Sequence, residues 1–579
     1  MKLNIKTLAL VAVAAFSLSS CSDFLEKPTE DAYNVDNYYQ TDDQCIAGVN
    51  YLYNSPWYDF QRGFIKVGEV LSGNYYWGSS PYLTFTVNGS DEDLVNMSYS
   101  LWAVIGHANT VYNSLSKSPA SQSVVNQCKG ECLLWKAMAY FFLVRSFGEV
   151  PIIHDTSETL TSGEYSNLQK VKRADVYEYI IMTLEKAMEY LPKEPATGRV
   201  GYYSAEGLLA KVYLTKAGIS GSLSQSDLDM AAKYAKDVID NYGGKLEANY
   251  GDIFRLSNRY TSEGLIVWRW TASGSNWTRQ NTLQADLAIS GFDSWTAWGG
   301  WNGFSVDMQQ AFGIDLTVDQ PDKWLNNVDT RLKATMMLPG FKYDQFFQAD
   351  GGFDYLKFIY EQSTTGSLES ATGCNTVKHL HGTTADHEAE CGESDGRMAS
   401  TVPTFLLRLS DVYLVYAEAK LGASRNATPD ADALAAYNAV RSRAIPTASL
   451  VTTYTWEDVW KQRRLEFAME GDRWYDYVRV SYYDPDFCVN ELQNQKRNPL
   501  WNLDAAYKNY YETGQWDTMD IMYDNVTAAP NVASMMKKDP DSGKNYFFLP
   551  MTADDILYNP NFASSVDGVH VDVRETYSY

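Results

Sequence analysis

Histidine is scarce in this chain, with six in 579 residues, and the seven cysteines show no spacing of a disulfide framework. Basic residues are outnumbered by acidic ones, 48 to 72, leaving a net charge of −24. Such a surface is repelled by nucleic acid and by anionic lipid. It suits a neutral or cationic partner, or one that does not select on charge. Beyond residue 20 no apolar run approaches the roughly 20 residues of a membrane-spanning helix. There is no H-E-x-x-H, no P-loop and no dinucleotide fingerprint, so no cofactor is expected. One G-x-S-x-G occurs, Gly392 to Gly396, but in a polar loop rather than between a strand and a helix, where a nucleophile elbow needs it. Carboxylates abound, yet no pair is marked out as the two a glycosidase requires.

What the sequence does have begins at its N-terminus. Lys2 and Lys6 precede an apolar stretch from Leu8 to Leu18, the length of a signal-peptide core and too short to cross a bilayer. Leu18-Ser19-Ser20-Cys21 follows and resembles the bacterial lipobox. That resemblance implies cleavage before Cys21 and acylation of its new amino terminus; two or more acyl chains hold a protein stably to a membrane. The mature chain would carry 46 basic and 72 acidic residues, or −26, since residues 1–20 contain two lysines and no acid. Residues 22–40 are polar and read as a tether.

Aromatic residues are abundant, with 42 Tyr and 16 Trp. From Thr41 to Tyr242 amphipathic helical patterns follow one another: 42–53, 101–115, 123–147 with Gly148 and Pro151 beyond, 173–191, 204–217 and 228–242. Short links between such helices predict antiparallel pairs stacked as a solenoid. Cys45, Cys128 and Cys132 fall on the apolar stripes and read as small core hydrophobes. The pattern breaks over 250–402, a stretch rich in Gly, Asn and Ser that holds seven of the 16 tryptophans between Trp268 and Trp324. Helices resume after Pro403. Val412, Val415, Tyr416 and Ala419 form one stripe, Thr428-Pro429 opens a helix running to about Ala444, and Thr455 opens another to Glu470. The remainder reads as loop-rich. One local cluster stands out: Cys374, His379, His381, His387 and Cys391. A Cys374–Cys391 disulfide, a metal site and an ordinary polar loop all remain open.

Four segments together resemble the SusD/RagB family of Bacteroidetes outer-membrane lipoproteins: Cys21 to Leu25 (CSDFL); Gly198 to Gly218 (GRVGYYSAEGLLAKVYLTKAG); Leu407 to Gly422 with Tyr437 to Ala444; and Arg463 to Tyr477 (RRLEFAMEGDRWYDY), with echoes at Phe548 to Pro550 and Asn559 to Asn561. The resemblance implies a mostly α fold, a tetratricopeptide-like helical-pair solenoid with an irregular, loop-rich mid-chain insert. It places helical scaffold at 41–249 and 403–480, the insert at 250–402 and an irregular part at 481–579. It implies no enzyme activity. It also implies a cell-surface position and partnership with a SusC-like TonB-dependent transporter, over which the protein acts as a lid that captures a glycan, or peptide as in RagB. A lipid-anchored polysaccharide-degrading enzyme is the competing class. The dense Arg463–Tyr477 run reads as structural ion pairing through Arg463, Glu466, Glu470 and Arg473.

Sugars stack their C–H faces on aromatic rings and need polar partners at the edges. Two stretches have that makeup: Asn74-Tyr75-Tyr76-Trp77 between Gly73 and Gly78, and Trp295 to Trp301 (WTAWGGW) with Asp293 and Asn302 beside it. Members of the family that bind glycans draw aromatics from an early loop and from the insert. The expected ligand contacts are therefore Tyr75, Tyr76, Trp77, Asp293, Trp295, Trp298, Trp301 and Asn302, with Cys21 as the lipidation site.

Overall fold

A computed structural model describes residues 38–272, 277–293, 297–525 and 531–579. The scaffold is a succession of helices: α1 (Asp42–Asn50), α2 (Glu92–Leu115), α3 (Gln122–Phe147), α4 (Arg173–Tyr190), α5 (Tyr202–Lys216) and α6 (Gln225–Asn241). After the insert come α7 (Leu409–Ala419), α8 (Ala431–Ala444), α9 (Trp456–Glu466) and α10 (Arg473–Ser481). From α2 to α8 each packs on the next, α9 packs back on α7, and α6 packs on α7 although the whole insert separates them in sequence. The solenoid is thus continuous in space, as its helical patterning predicts.

The insert leaves and re-enters through one antiparallel pair. Strand β2 (Gly264–Trp268) pairs with β4 (Thr404–Arg408), Val267 opposite Phe405 and Trp268 opposite Thr404, with a bulge near Ile266. A second pair, β1 (Tyr75–Tyr76) with β3 (Gly303–Phe304), ties the early loop to the middle of the insert. Trp57 joins the two parts from within: its ring lies 5.7 Å from Trp135 of α3 and 5.2 Å from Trp268 of β2. All three rings are fully buried.

Under the helices lies a layer of buried ion pairs. Arg408 bonds Glu263, Glu466 and Glu470; Arg463 bonds Asp411, Asp472 and Asp476; Arg479 bonds Glu418 and Asp476. Each side chain has at least two opposite charges or a bidentate fork, the condition under which buried charge is tolerated. The Arg463–Tyr477 run is structural, as the family resemblance implied, although its density of charge suits a functional site equally well.

Several boundaries move. Helix α2 begins nine residues before Leu101, at Glu92, capped by the Asp91 side chain, which accepts from Leu94 N. Helix α8 starts at Ala431 with Asp430, not Thr428, as its cap. Helix α9 does use Thr455 and Asp458 in a reciprocal capping box, but ends at Glu466, not Glu470. The region after it is less irregular than its composition implied, with α10 and further helices Pro485–Gln493 and Leu503–Thr513.

Cys45, Cys128 and Cys132 are buried, as expected of core residues. The Cys374–Cys391 disulfide does not form; both thiols are free. Cys374 is fully buried with its Sγ 3.5 Å from Phe304 O, while Cys391 Sγ faces His387. The histidines are spent on protein partners: His379 Nε2 on Met469 O, His381 Nε2 on Asp395, His387 Nδ1 on Glu393 O. Gly392 ends helix Thr384–Cys391 in the left-handed conformation, so the G-x-S-x-G motif follows a helix rather than a strand.

Candidate functional site

The site is built on a short helical ridge. Tyr58, Arg62 and Lys66 recur every fourth residue around helix Phe60–Ile65 and so share a face. Arg62 lies between two carboxylates, its Nε 3.7 Å from Asp93 on α2 and 3.7 Å from Asp286 of the insert. Lys66 bonds the same Asp93. Over this pair of cations sits the Trp77 ring, 5.2 Å from Lys66 Nζ and 6.0 Å from Arg62 Cζ at its centroid. Such contacts attract a cation to the ring's negative face and orient the indole.

Asp286 carries the construction into the insert. One oxygen faces Arg62; the other accepts from Trp298 Nε1 at 2.9 Å. Burial raises the Asp286 carboxyl above its usual range, against Arg62 and the Trp298 N–H, which lower it. The Trp298 edge is therefore fixed while its ring remains 42 % exposed. Of the two glycines after Trp298, Gly299 is required by close approach to backbone, while Gly300 faces the Glu369 side chain. A Cβ on Gly299 would fall 2.3 Å from Asp286 O, and one on Gly300 2.0 Å from Glu369 Oε2. The chain turns through them, with Asn302 N bonded to Gly299 O, and presents Trp301 at 63 % exposure. Trp277, half exposed, packs edge-on against Tyr58 at 6.4 Å.

The two sequence segments are thus brought together, since Tyr75 pairs with Phe304 and Tyr76 with Gly303. Not every residue in them reaches the surface. Tyr75 is fully buried and packs edge-on against Phe304; Asn302 is 4 % exposed and donates to Asp286 O. Both are corrections: they hold the shelf and do not line it. Tyr76 is half-buried and lines a separate pocket with Leu83, Arg497 and Asp524. Asp293 accepts from Gln284 Nε2 at 3.2 Å. Trp295 and Cys21 lie outside the described residues. Sequence reading missed Tyr58, Arg62, Lys66, Trp277 and Asp286. The spacing of four in the first three, and the tryptophan within the Gly- and Ser-rich stretch before Arg279, were the available signals.

Chemically, the site offers flat apolar faces edged by a guanidinium, an ammonium and carboxylates. Asp93 and Asp286 are committed to Arg62 and Lys66, so neither stands free as a general acid or base. Fold and site together present an aromatic platform mounted on a helical solenoid.

The chain belongs to the SusD family. The profile of that family matches residues 266–565, and a related one, described as starch-binding associating with outer membrane, matches residues 23–214. A SusD-like protein of Bacteroides ovatus is 30% identical over 577 residues, covering 96% of each chain. SusD-like protein P2 of Formosa agariphila is 23% identical over 532 residues, 83% of this chain and 92% of that one. Among solved structures, one described with xylogluco-oligosaccharide superposes with a TM-score of 0.73 at 27% identity, over 91% of this chain and 99% of that one. The family comprises carbohydrate-binding proteins rather than enzymes, and its name associates it with the outer membrane. Among the described residues no helix is long and apolar enough to cross a membrane.

Proposed function

We propose that this protein is a cell-surface glycan receptor, anchored through acylated Cys21, that captures an oligo- or polysaccharide and hands it to a SusC-like TonB-dependent transporter as the transporter's lid. The observation that carries the reading is the shelf itself: Trp77 and Trp298 are both fixed around Arg62 and Asp286, with Trp277 exposed against Tyr58 and Trp301 exposed three residues after Trp298. Aromatic faces with polar edges are what a sugar needs. The solved neighbour at 27% identity described with xylogluco-oligosaccharide supports a carbohydrate ligand. Anchoring and partner rest on the lipobox and the family resemblance.

The test is affinity electrophoresis through soluble polysaccharides, followed by calorimetry on those that retard the protein. Trp77→Ala and Trp298→Ala should each weaken binding by about 1–3 kcal/mol, the scale of a lost aromatic contact, with an unchanged circular dichroism spectrum. Full affinity in both variants, or new reducing ends released by the native protein, would overturn the reading.

A further inference from the structure

Single exposed aromatics are ordinary on protein surfaces, whereas a contiguous run of them marks an interaction site. The run on this protein does not stop at the shelf. Helix α2 lies alongside residues 48–66: a Cβ on Gly63 would sit 3.2 Å from Asp93 O, and His107 Nε2 lies 3.1 Å from Gly48 O. Asp93 marks the shelf end, where it holds Lys66. Between Asp93 and His107 the helix advances about 21 Å.

Along that distance stand further rings. Trp277 and Tyr58 come first, in edge contact. Their chain neighbours Asp59 and Arg279 both act on the Tyr51 hydroxyl. Burial of the ring, the Tyr99 hydroxyl and the Asp59 carboxylate raise that hydroxyl above its ordinary range, and Arg279 opposes them. Tyr51 packs on His107 at 4.4 Å, and Tyr99 is 67 % exposed. Gly106 lies two turns beyond Tyr99 on the same face of α2, with open space where a side chain would begin. A glycine in mid-helix weakens the helix; no close packing requires it here, and its effect is to keep the surface between Tyr99 and His107 flat. The polar edges are Asp59, Arg279 and His107.

We infer that the sugar-contact surface continues from the tryptophan shelf over Trp277 and Tyr58 to a second station, Tyr51, Tyr99 and His107, and that the ligand is an extended polysaccharide chain held at both. The inference rests on the glycan reading proposed above. Two stations joined by one ligand raise each other's occupancy through effective concentration, provided the ligand spans the gap. A short oligosaccharide fills the shelf alone.

The experiment uses xyloglucan, laminarin, amylopectin and galactan, with the oligosaccharides obtained by limited digestion of each polymer that retards the protein. Affinity of the native chain should climb with ligand length. Tyr99→Ala, and the Tyr51→Ala/Tyr99→Ala pair, should lower affinity for the polymer about five- to tenfold and leave the shortest bound oligosaccharide unaffected. Trp298→Ala keeps the two readings apart, since it should weaken both ligands. Polymer affinity unchanged by the tyrosine variants while Trp298→Ala still loses it would sink the second station and spare the shelf. Equal affinity for short and long ligands in the native chain would sink it as well. Absence of retardation by all four polymers would overturn both readings.

Discussion

At the scale of the residue, this protein separates charges that support the fold from charges that edge the site. Glu466 is fully buried and faces Arg408, Arg443 and Arg331. Burial alone would raise its carboxyl, but Arg443, Arg408 and Arg331 outweigh burial and bring it from 4.5 to about 2. A folded value below the unfolded one means the stabilisation is complete above about pH 4.5 and disappears as pH falls toward 2. Glu466→Gln leaves the arginines facing a neutral group in a dry interior. It should cost about 3–5 kcal/mol at neutral pH. Melting temperatures at pH 7, 4.5 and 3 check this: the native chain should lose stability across the acid interval, and the variant should be low throughout with a shallower slope. Among candidate site residues, Trp77, Trp298 and Trp301 were legible because rings set among glycines suit a surface turn, whereas Trp277 was missed. Tyr75 was not separable from its neighbours. Alternate residues of a strand face opposite sides, and which side is inward is set by Gly303 and Phe304, more than two hundred residues away.

At the scale of the element, helices of the scaffold were readable from periodicity and caps, because their information is local. Where a distant contact decides, sequence reading slipped. Helix α9 ends at Glu466 because the chain turns through Met469 and Gly471, both with positive φ, to bring Glu470 onto Arg408 and Lys378. The stop legible in the sequence is Gly471, which lies beyond the true end at Glu466. That turn meets the π-helical turn Lys66–Val70 backbone to backbone: a Cβ on Gly68 would fall 2.3 Å from Gly471 Cα. Glu69, next to it, accepts from Gly471 N and from Asn74 Nδ2, which links the crossing to the loop carrying Trp77. Gly68→Ala therefore drives a methyl into backbone that cannot yield cheaply. The expected loss is about 1–3 kcal/mol of stability. Because Lys66 and Trp77 flank the crossing, glycan affinity should fall with it even where the variant remains folded. Thermal unfolding and calorimetry on the same sample distinguish this from a purely local effect; a variant with native melting temperature and native affinity would show the crossing to be looser than its geometry implies.

At the scale of the whole molecule, the solenoid keeps the shelf rigid. The insert is zipped at its base by β2 and β4, tied to the early loop by β1 and β3, and cemented by Trp57 and Trp268. On the proposed reading that rigid body must be held at the membrane, and the sequence offers a device for it. The apolar run Leu8–Leu18 is too short to remain as a membrane span, so on the proposed reading retention would fall to Cys21. Its thiol and freed amino group would carry the acyl chains, and stable anchoring takes more than one. In the sequence, residues 22–37 separate Cys21 from the described fold, whose first helix α1 is capped by Thr41. Cys21→Ser keeps the serine-sized side chain and removes the thiol that the lipobox chemistry modifies. It should abolish labelling by a fatty acid and move the protein from the outer-membrane fraction to the soluble one. The shelf lies within the folded body, so the released protein should bind glycan with native affinity. Growth on the polysaccharide should nonetheless fail, because capture would no longer be coupled to the transporter at the membrane. Fatty-acid incorporation that persists in the serine variant would contradict the anchor, and a released variant that still supports growth would contradict the lid.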